Sequence, residues 1–369
     1  MASNCKEKIK KYKNAENKKC KFSFSSSSTE LNKSKTGSCP IEPTSLSNIK
    51  YPKQFLHVER RNYSLQLVQF PVEILKGIHS LKFSQTLGFY VCGYGNGDIE
   101  MREEMSNRLL AKTTLSLDGQ DPVVSLCFHP KLSHFLFAAC SYGKIHLIKT
   151  HSFTGKLLFE QKKNELHSID VSSTGNLLFS GGKDGQIRVY DVQAEKVVRK
   201  FEGHRFRVFC VKYDFHTNLV ISGGWDKFVK IWDLREQNAI KTIKGPYICG
   251  DAIDMRGSII LTGSWVETDS IQLWDFGTSK LLHTFRATNR HRHFIGEYVY
   301  CCKFLQTDTD AEKILVGGTD ALEVLNWKKR KITERLEVPK TVQTLDDKQT
   351  SVIFGGMEPL LRIAKFKEL

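Results

Sequence analysis

His204, Ser222 and Asp226 fall in one short stretch of the chain, and a Ser, a His and an Asp together are the ingredients of nucleophilic hydrolysis. The setting for a nucleophile is missing. Ser222 lies in ISGGWD, with no Gly-x-Ser-x-Gly elbow to lift its hydroxyl out of a strained turn. There is no Gly-x-x-x-x-Gly-Lys-Ser/Thr loop to cradle phosphates and no His-Glu-x-x-His pair to hold zinc. GYGNGD at 93–98 contains Gly-x-Gly but runs directly into a new apolar stretch. It reads as a turn whose glycines supply positive φ, not as a dinucleotide loop. His291, Arg292 and His293 have no Cys or carboxylate beside them at ligand spacing. The ten Cys include no Cys-x-x-Cys pair and read as reduced thiols, most of those beyond residue 90 being small buried hydrophobes. These residues predict no catalytic group, no metal and no cofactor.

Any site must be positioned by folded elements, and composition bounds what these are. The chain of 369 residues carries 55 Lys and Arg against 40 Asp and Glu; with 40% hydrophobic and 26% charged residues it has globular composition. No apolar run approaches the ~20 residues of a membrane-spanning helix. The opening MASNCKEKIKKYKNAENKKCKFSF lacks an apolar core, which predicts no secretory leader and a cytoplasmic or nuclear setting. Residues 1–50 hold 11 Lys and 4 Glu with neither Arg nor Asp, and include the run Ser25 to Ser28. Such a segment buries too little apolar surface to offset its ordering entropy. Residues 1–55 are therefore expected to form a disordered Lys/Ser-rich tail ahead of a globular region at 56–369. Lys8, Lys10, Lys11 and Lys13 could serve nuclear import, and the tail could touch an acidic surface or be phosphorylated.

The strongest signal is internal repetition. SGGKDGQIRVYDV at 180–192 is followed by SGGWDKFVKIWDL at 222–234, offset by 42, and by TGSWVETDSIQLWDF at 262–276. Each unit is a β-branched run, a Gly-rich turn with an acidic residue, and a second alternating run ending in an aromatic and Asp. That is two strands joined by a tight turn, and a period of about 40–45 built from strands implies a propeller blade. With the register fixed, weaker copies appear, and the slot before the Asp is filled by Arg102, Ile148, Tyr190, Trp232, Trp274, Leu325 and Ala364. The reading is all-β: a seven-bladed β-propeller of four-stranded antiparallel blades, strands a to d. Residues 341–347, 350–355 and 361–366 give strands a to c of the last blade, and NYSLQLVQF at 62–70 is the expected donor of its outer strand. An N-terminal strand would thus close the ring.

Gly203-His204, VFCVKYD, LVISGGWD and VKIWDL with Trp232-Asp233 carry a family likeness: over residues 62–369 the chain resembles a seven-bladed WD-repeat propeller. The resemblance implies a buried structural network of His204, Ser222, Asp226 and Trp232, and this order and spacing replace the hydrolase reading. It also implies a non-enzymatic scaffold that binds several proteins or peptides and is itself monomeric. A second likeness lies in VISGGWDKFVKIWDLR at 220–235, which is similar to WD-repeat substrate receptors that dock on the cullin-4 ubiquitin-ligase adaptor. There Arg235 would make the contact, although Gln193 and Gly277 stand where neighbouring blades would carry a second Arg.

For binding, the b–c turns supply one row on the top rim: Gly95, Ser141, Lys183, Trp225, Trp265, Thr319 and Met357. Trp225 and Trp265 in adjacent blades are expected at exposed turn tips, forming one aromatic patch. Arg205 and Arg207 join them, with Arg292 from the enlarged loop RATNRHRHFIGEY at 286–298. A basic, aromatic-lined rim suits an acidic or phosphorylated peptide. Nucleic acid, held through the tail and the rim, is a less favoured partner. The acidic insertion QTDTDAEK at 306–313 is placed on the opposite face.

Overall fold

The computed structural model describes residues 63–71, 77–116, 119–287, 297–306, 312–358 and 360–368. The tail expected at 1–55, Arg292, and the acidic residues Asp308 and Asp310 lie outside these described residues.

The described residues form seven four-stranded antiparallel sheets. Blade 1 runs from Ile78–Phe83 to Leu109–Thr114, blade 2 from Val123–Phe128 to Thr154–Glu160, and blade 3 from Leu166–Val171 to Lys196–Phe201. Blade 4 runs from Val208–Asp214 to Ala239–Lys244, blade 5 from Ile253–Arg256 to Leu281–Phe285, and blade 6 from Cys301–Phe304 to Lys331–Glu337. Blade 7 takes strands a to c from Val342–Lys348, Ser351–Gly356 and Leu360–Glu368, and its strand d from Tyr63–Pro71. That last pairing runs without a break from Tyr63 opposite Glu368 to Pro71 opposite Leu360, so the N-terminal strand closes the ring as expected. The seven slot residues each pair with the second residue of their own strand b, which puts all seven copies in one register.

Burial follows position in the blade. Strand b is flanked on both edges and covered on both faces by neighbouring blades. It therefore reads as an unbroken apolar and small-residue run, and LVISGG at Leu219–Gly224 is buried throughout. Strand d is an outer edge, and AIKTIK at Ala239–Lys244 alternates between half-buried and exposed until Ile243. The blades approach closely where strand b ends. A Cβ on Gly223 would come within 2.6 Å of Ile253 and 2.8 Å of Ile248 in the next blade.

The innermost strands pack consecutively, blade 7 returning to blade 1. Bulges shape the mouth of the ring, and a row of charges lines its inner wall. In blades 1, 2, 3, 4 and 7 the pairing with strand b shifts after the first residue. His79, Val124, His167, Phe209 and Gln343 are thereby left out of the ladder, half-buried at the start of the innermost strand. Such bulges re-aim a side chain, and here they do so at the mouth of the ring.

Three residues further on, one register position carries Lys82, Cys127, Asp170, Lys212, Asp254, Lys303 and Asp346 around the ring. The signs alternate except at Cys127; seven is odd, so one position must break the alternation, and a neutral thiol stands between Lys82 and Asp170. Each Asp also accepts a backbone N–H from the following blade. Phe83 donates to Asp346 at 2.9 Å, Tyr213 to Asp170 at 2.7 Å and Phe304 to Asp254 at 2.8 Å. Lys303 Nζ lies 2.6 Å and Lys82 Nζ 3.6 Å from Asp346 Oδ1.

The carboxylates of this ring differ. Burial would raise Asp346, but Lys303 and Lys82 overcome it and hold it below the usual range. At Asp254 burial wins over Lys212 and Lys303, and the carboxyl is raised. A depressed folded value gives stability that is present above the unfolded value and lost as pH falls through the folded one; a raised value gives the reverse. Asp346→Asn should therefore destabilise the ring at neutral pH by about 2 kcal/mol or more. Asp254→Asn, which removes a charge that the fold disfavours and keeps an acceptor for Phe304, should leave the denaturation midpoint unchanged or higher. Equal losses in both variants would refute the assignment.

Candidate functional site

On the top rim of blades 1 to 5 the first residue of the b–c turn is tied to a residue of the segment that precedes strand a. Lys183 N–H donates to the Glu165 carbonyl at 2.8 Å, Trp225 to Arg207 at 3.0 Å and Trp265 to Tyr247 at 2.8 Å. Blades 3, 4 and 5 thus present three side-by-side pairs: Lys183 with Glu165, Trp225 with Arg207, and Trp265 with Tyr247.

An aromatic arc runs across these pairs. His167 stacks on Phe209 with centroids 4.3 Å apart and planes at 13°, and Phe209 meets Trp225 at 5.0 Å. Trp225 lies parallel to Tyr247 at 6.3 Å, Tyr247 meets Trp265 at 6.5 Å, and Trp265 meets Tyr298 at 4.6 Å. The bulges in blades 3 and 4 supply the first two rings; two b–c turns and two loops supply the other four. Trp225 Nε1 donates to Cys249 Sγ at 2.9 Å. The two Trp side chains are half-buried. This corrects the expectation of exposed turn tips in one patch: Tyr247 lies between them, and each indole packs as well as presenting a face.

Cations stand over the arc. The Arg207 guanidinium lies 5.8 Å from the Trp225 ring centroid and Lys227 Nζ 5.8 Å from that of Tyr247. Arg207 also pairs with the Glu165 carboxylate, whose other oxygen pairs with Lys183. Burial raises the Glu165 carboxyl, but Lys183 and Arg207 outweigh it and keep it below the ordinary range. Burial, helped by Arg207, pushes His167 down to about 4, so its ring adds no charge at neutral pH. Arg205 is exposed, with its backbone N–H on Asp226 Oδ2 at 3.2 Å. Beside it Phe206 is 56% exposed. Arg286 pairs with Asp269 at 3.3 Å.

The residues read as a structural network meet in blade 4. Trp232 Nε1 donates to Ser222 Oγ at 2.8 Å, Ser222 Oγ lies 2.7 Å from His204 Nε2, and His204 Nδ1 lies 2.9 Å from Asp226 Oδ2. With a neutral imidazole every donor has one acceptor: indole to hydroxyl, hydroxyl to Nε2, Nδ1–H to carboxylate. Burial raises Asp226, but the His204 bond and two backbone N–H groups lower it further than burial lifts it. Ser222 has no exposed surface, so no substrate can reach its hydroxyl. Among the described residues no three His, Cys, Asp or Glu side chains form a metal-holding group.

Blade 3 holds a version that the sequence reading missed. Gln161 stands in place of His, donating to Ser180 Oγ at 2.9 Å and to the Tyr190 hydroxyl, which lies 3.0 Å from Ser180. Asn164 donates to Gln161 Oε1 at 2.6 Å and accepts the Asp184 N–H at 3.1 Å. Tyr190-Asp191 and Ser180 were the available signal. In blade 5 the indole link persists, from Trp274 Nε1 to Thr262 Oγ1 at 3.0 Å. The reading also missed Glu165, His167, Phe209, Tyr247 and Lys227.

Arg235 lies on the other rim in the c–d turn, with an 87% exposed side chain folded onto Asp233. Its Nε is 3.0 Å from Asp233 Oδ1 and its Nη2 2.6 Å from Oδ2, and these bonds hold the Asp233 carboxyl down at about 2.

Residues 150–191 and 195–233 match the WD domain, G-beta repeat family. Joined to seven blades in one register, that match makes the chain a WD-repeat β-propeller protein. Over 176 residues it is 24% identical to the U3 small nucleolar RNA-associated protein 15 homolog of Gallus gallus. The aligned part is 47% of this chain and 33% of that relative, about a third of its length.

His204→Ala and Ser222→Ala should each destabilise the ring by roughly 1–3 kcal/mol, because each leaves buried partners unpaired. Tyr190→Phe should cost less, about 1 kcal/mol, since Gln161 and Ser180 still bond each other. Denaturant melts of the three variants check the order; unchanged midpoints for both blade 4 variants would show that the network does not stabilise the ring.

Proposed function

We propose that this chain is a non-enzymatic protein-interaction scaffold whose working surface is the top rim of blades 3 to 5. Its ligand is an acidic or phosphorylated peptide. One observation carries the reading: a continuous aromatic arc with Arg207 and Lys227 seated over its rings and Arg205 exposed beside it. Apolar faces give contact area and cations give orientation for an anionic partner. The expected contribution of Arg292 goes with this proposal, as do the tail at 1–55, the ring at 56–369 and a monomeric state within complexes. A relative named for association with small nucleolar RNA supports a nuclear setting.

Because Trp225 and Trp265 are half-buried, replacing them mixes folding with binding. The cleaner variant is Arg205→Glu with Lys227→Glu, at two exposed side chains. It should abolish partner recovery in affinity purification while the melting temperature stays at the parent value, and the parent's binding should weaken as salt is raised. Full recovery by the folded variant would move the working surface elsewhere.

A second reading, a cullin-4 substrate receptor, is favoured by the exposure of Arg235. It requires Arg235 to leave Asp233 for a partner carboxylate. Recovery of cullin-4 and its adaptor, lost on Arg235→Ala, is the expected result under that reading; parent purifications without them dismiss it.

A further inference from the structure

Glu165 is an anomaly on a rim proposed to bind anions. Its carboxylate takes Lys183 of its own blade through one oxygen and Arg207 of the next blade through the other. The ring does not require an acid there. The residue tied to the b–c turn in the same way is Gly77 in blade 1, Pro122 in blade 2 and Arg207 in blade 4. The carboxylate is one-third exposed, so it can be displaced. Lys183 and Arg207 hold it from two adjacent blades, and two more cations, Arg205 and Lys227, are exposed further along the same rim in blade 4. Of the carboxylates nearby, Asp226 is committed to His204 and Asp184 to Arg188.

We propose that Glu165 is a built-in stand-in for the ligand's anion, and that the rim of blades 3 and 4 takes a phosphorylated peptide whose phosphate displaces Glu165 from Lys183 and Arg207. The inference rests on the anionic-peptide reading and deepens it. The argument for phosphate is one of exchange. A ligand carboxylate replacing Glu165 swaps one single charge for another and gains nothing. A phosphomonoester brings about −1.5 to −2 and three acceptor oxygens, enough for Lys183, Arg207 and one further cation. A nucleic-acid phosphodiester carries one charge and has the same handicap as a carboxylate. The arc also disfavours base stacking as the main contact. His167 covers Phe209, Trp225 and Tyr247 lie parallel, and both Trp rings are half-buried. What remains suits a side chain flanking the phosphate and lying on Trp225 or the exposed Phe206.

The full chain is titrated with a degenerate peptide library containing fixed phosphoserine, with the same library carrying serine, and with oligouridylate, all at low salt. Glu165→Gln should bind the phosphoserine library about threefold or more tighter than the parent, with a smaller gain for the serine library, whose carboxylates bring a single charge. Arg207→Gln should lose the binding. Glu195→Gln makes the same charge change in the c–d turn of the opposite rim and should leave affinity unchanged. Glu165→Ala repeats the test if the Gln variant melts early. Unchanged or weaker binding in both Glu165 variants overturns the proposal, as does an equal gain in Glu195→Gln or a gain confined to oligouridylate. If Arg205→Glu with Lys227→Glu still abolishes partner recovery while the Glu165 variants gain nothing, the stand-in role alone falls and the rim remains the working surface.

Discussion

The structure depends on one antiparallel pairing, the strand Tyr63–Pro71 against Leu360–Glu368. Each blade covers its two faces with its neighbours, so an open array would leave two apolar faces in water. Closure removes both at once and makes every blade–blade contact part of a cycle. The inner ring of charges shows the same constraint. Asp346 is held across both blade boundaries, by Lys303 on one side and by Lys82 with the Phe83 N–H on the other, while Lys212 turns to Asp251 at 2.7 Å. An odd ring cannot alternate throughout, and Cys127 is where the alternation stops. Its sulfur lies 3.6 Å from Asp170, and burial, reinforced by that carboxylate, pushes the thiol well up, so the neutral position stays neutral.

Closure also explains why the rim is shared among blades. The small residue ending strand b lets the next blade approach, as at Gly223, and brings each b–c turn beside the following blade's entry loop. The bulges then turn His167 and Phe209 toward the mouth of the ring. Neither an aromatic row nor a doubly held carboxylate could form within one repeat. Arg207 and Glu165 are 42 residues apart, one repeat length, and meet only because consecutive repeats stand side by side.

The two polar clusters of blade 4 show opposite uses of the same chemistry. His204, Ser222, Asp226 and Trp232 are sealed, with every donor matched, and the result is rigidity. A few residues away Arg205, Arg207, Trp225 and Lys227 are part-exposed, with more positive charge than their one carboxylate neutralises, and the result is a surface that favours an anion. The indoles serve both sides. Trp225 contributes to the blade 4–blade 5 contact through Tyr247 and Cys249 while its ring still carries Arg207.

Repeat period, strand positions and the closing strand were legible in the sequence, because burial imposes a local pattern. Strand b must be apolar along its length, the b–c turn must bend, and an alternating run at 62–70 had no other blade to complete. The network of His204, Ser222, Asp226 and Trp232 was legible for the same reason: its members sit at fixed offsets in one repeat. Gln161 was not, because an amide replaces an imidazole only when the surrounding Asn164, Ser180 and Tyr190 adjust with it. Nor did the Trp225–Trp265 row show that Tyr247 divides it, or the charge of Arg207 show that Glu165 already holds it. Those contacts are set by the angle between blades, and a linear pattern encodes which residues recur but not how far the ring turns between one copy and the next.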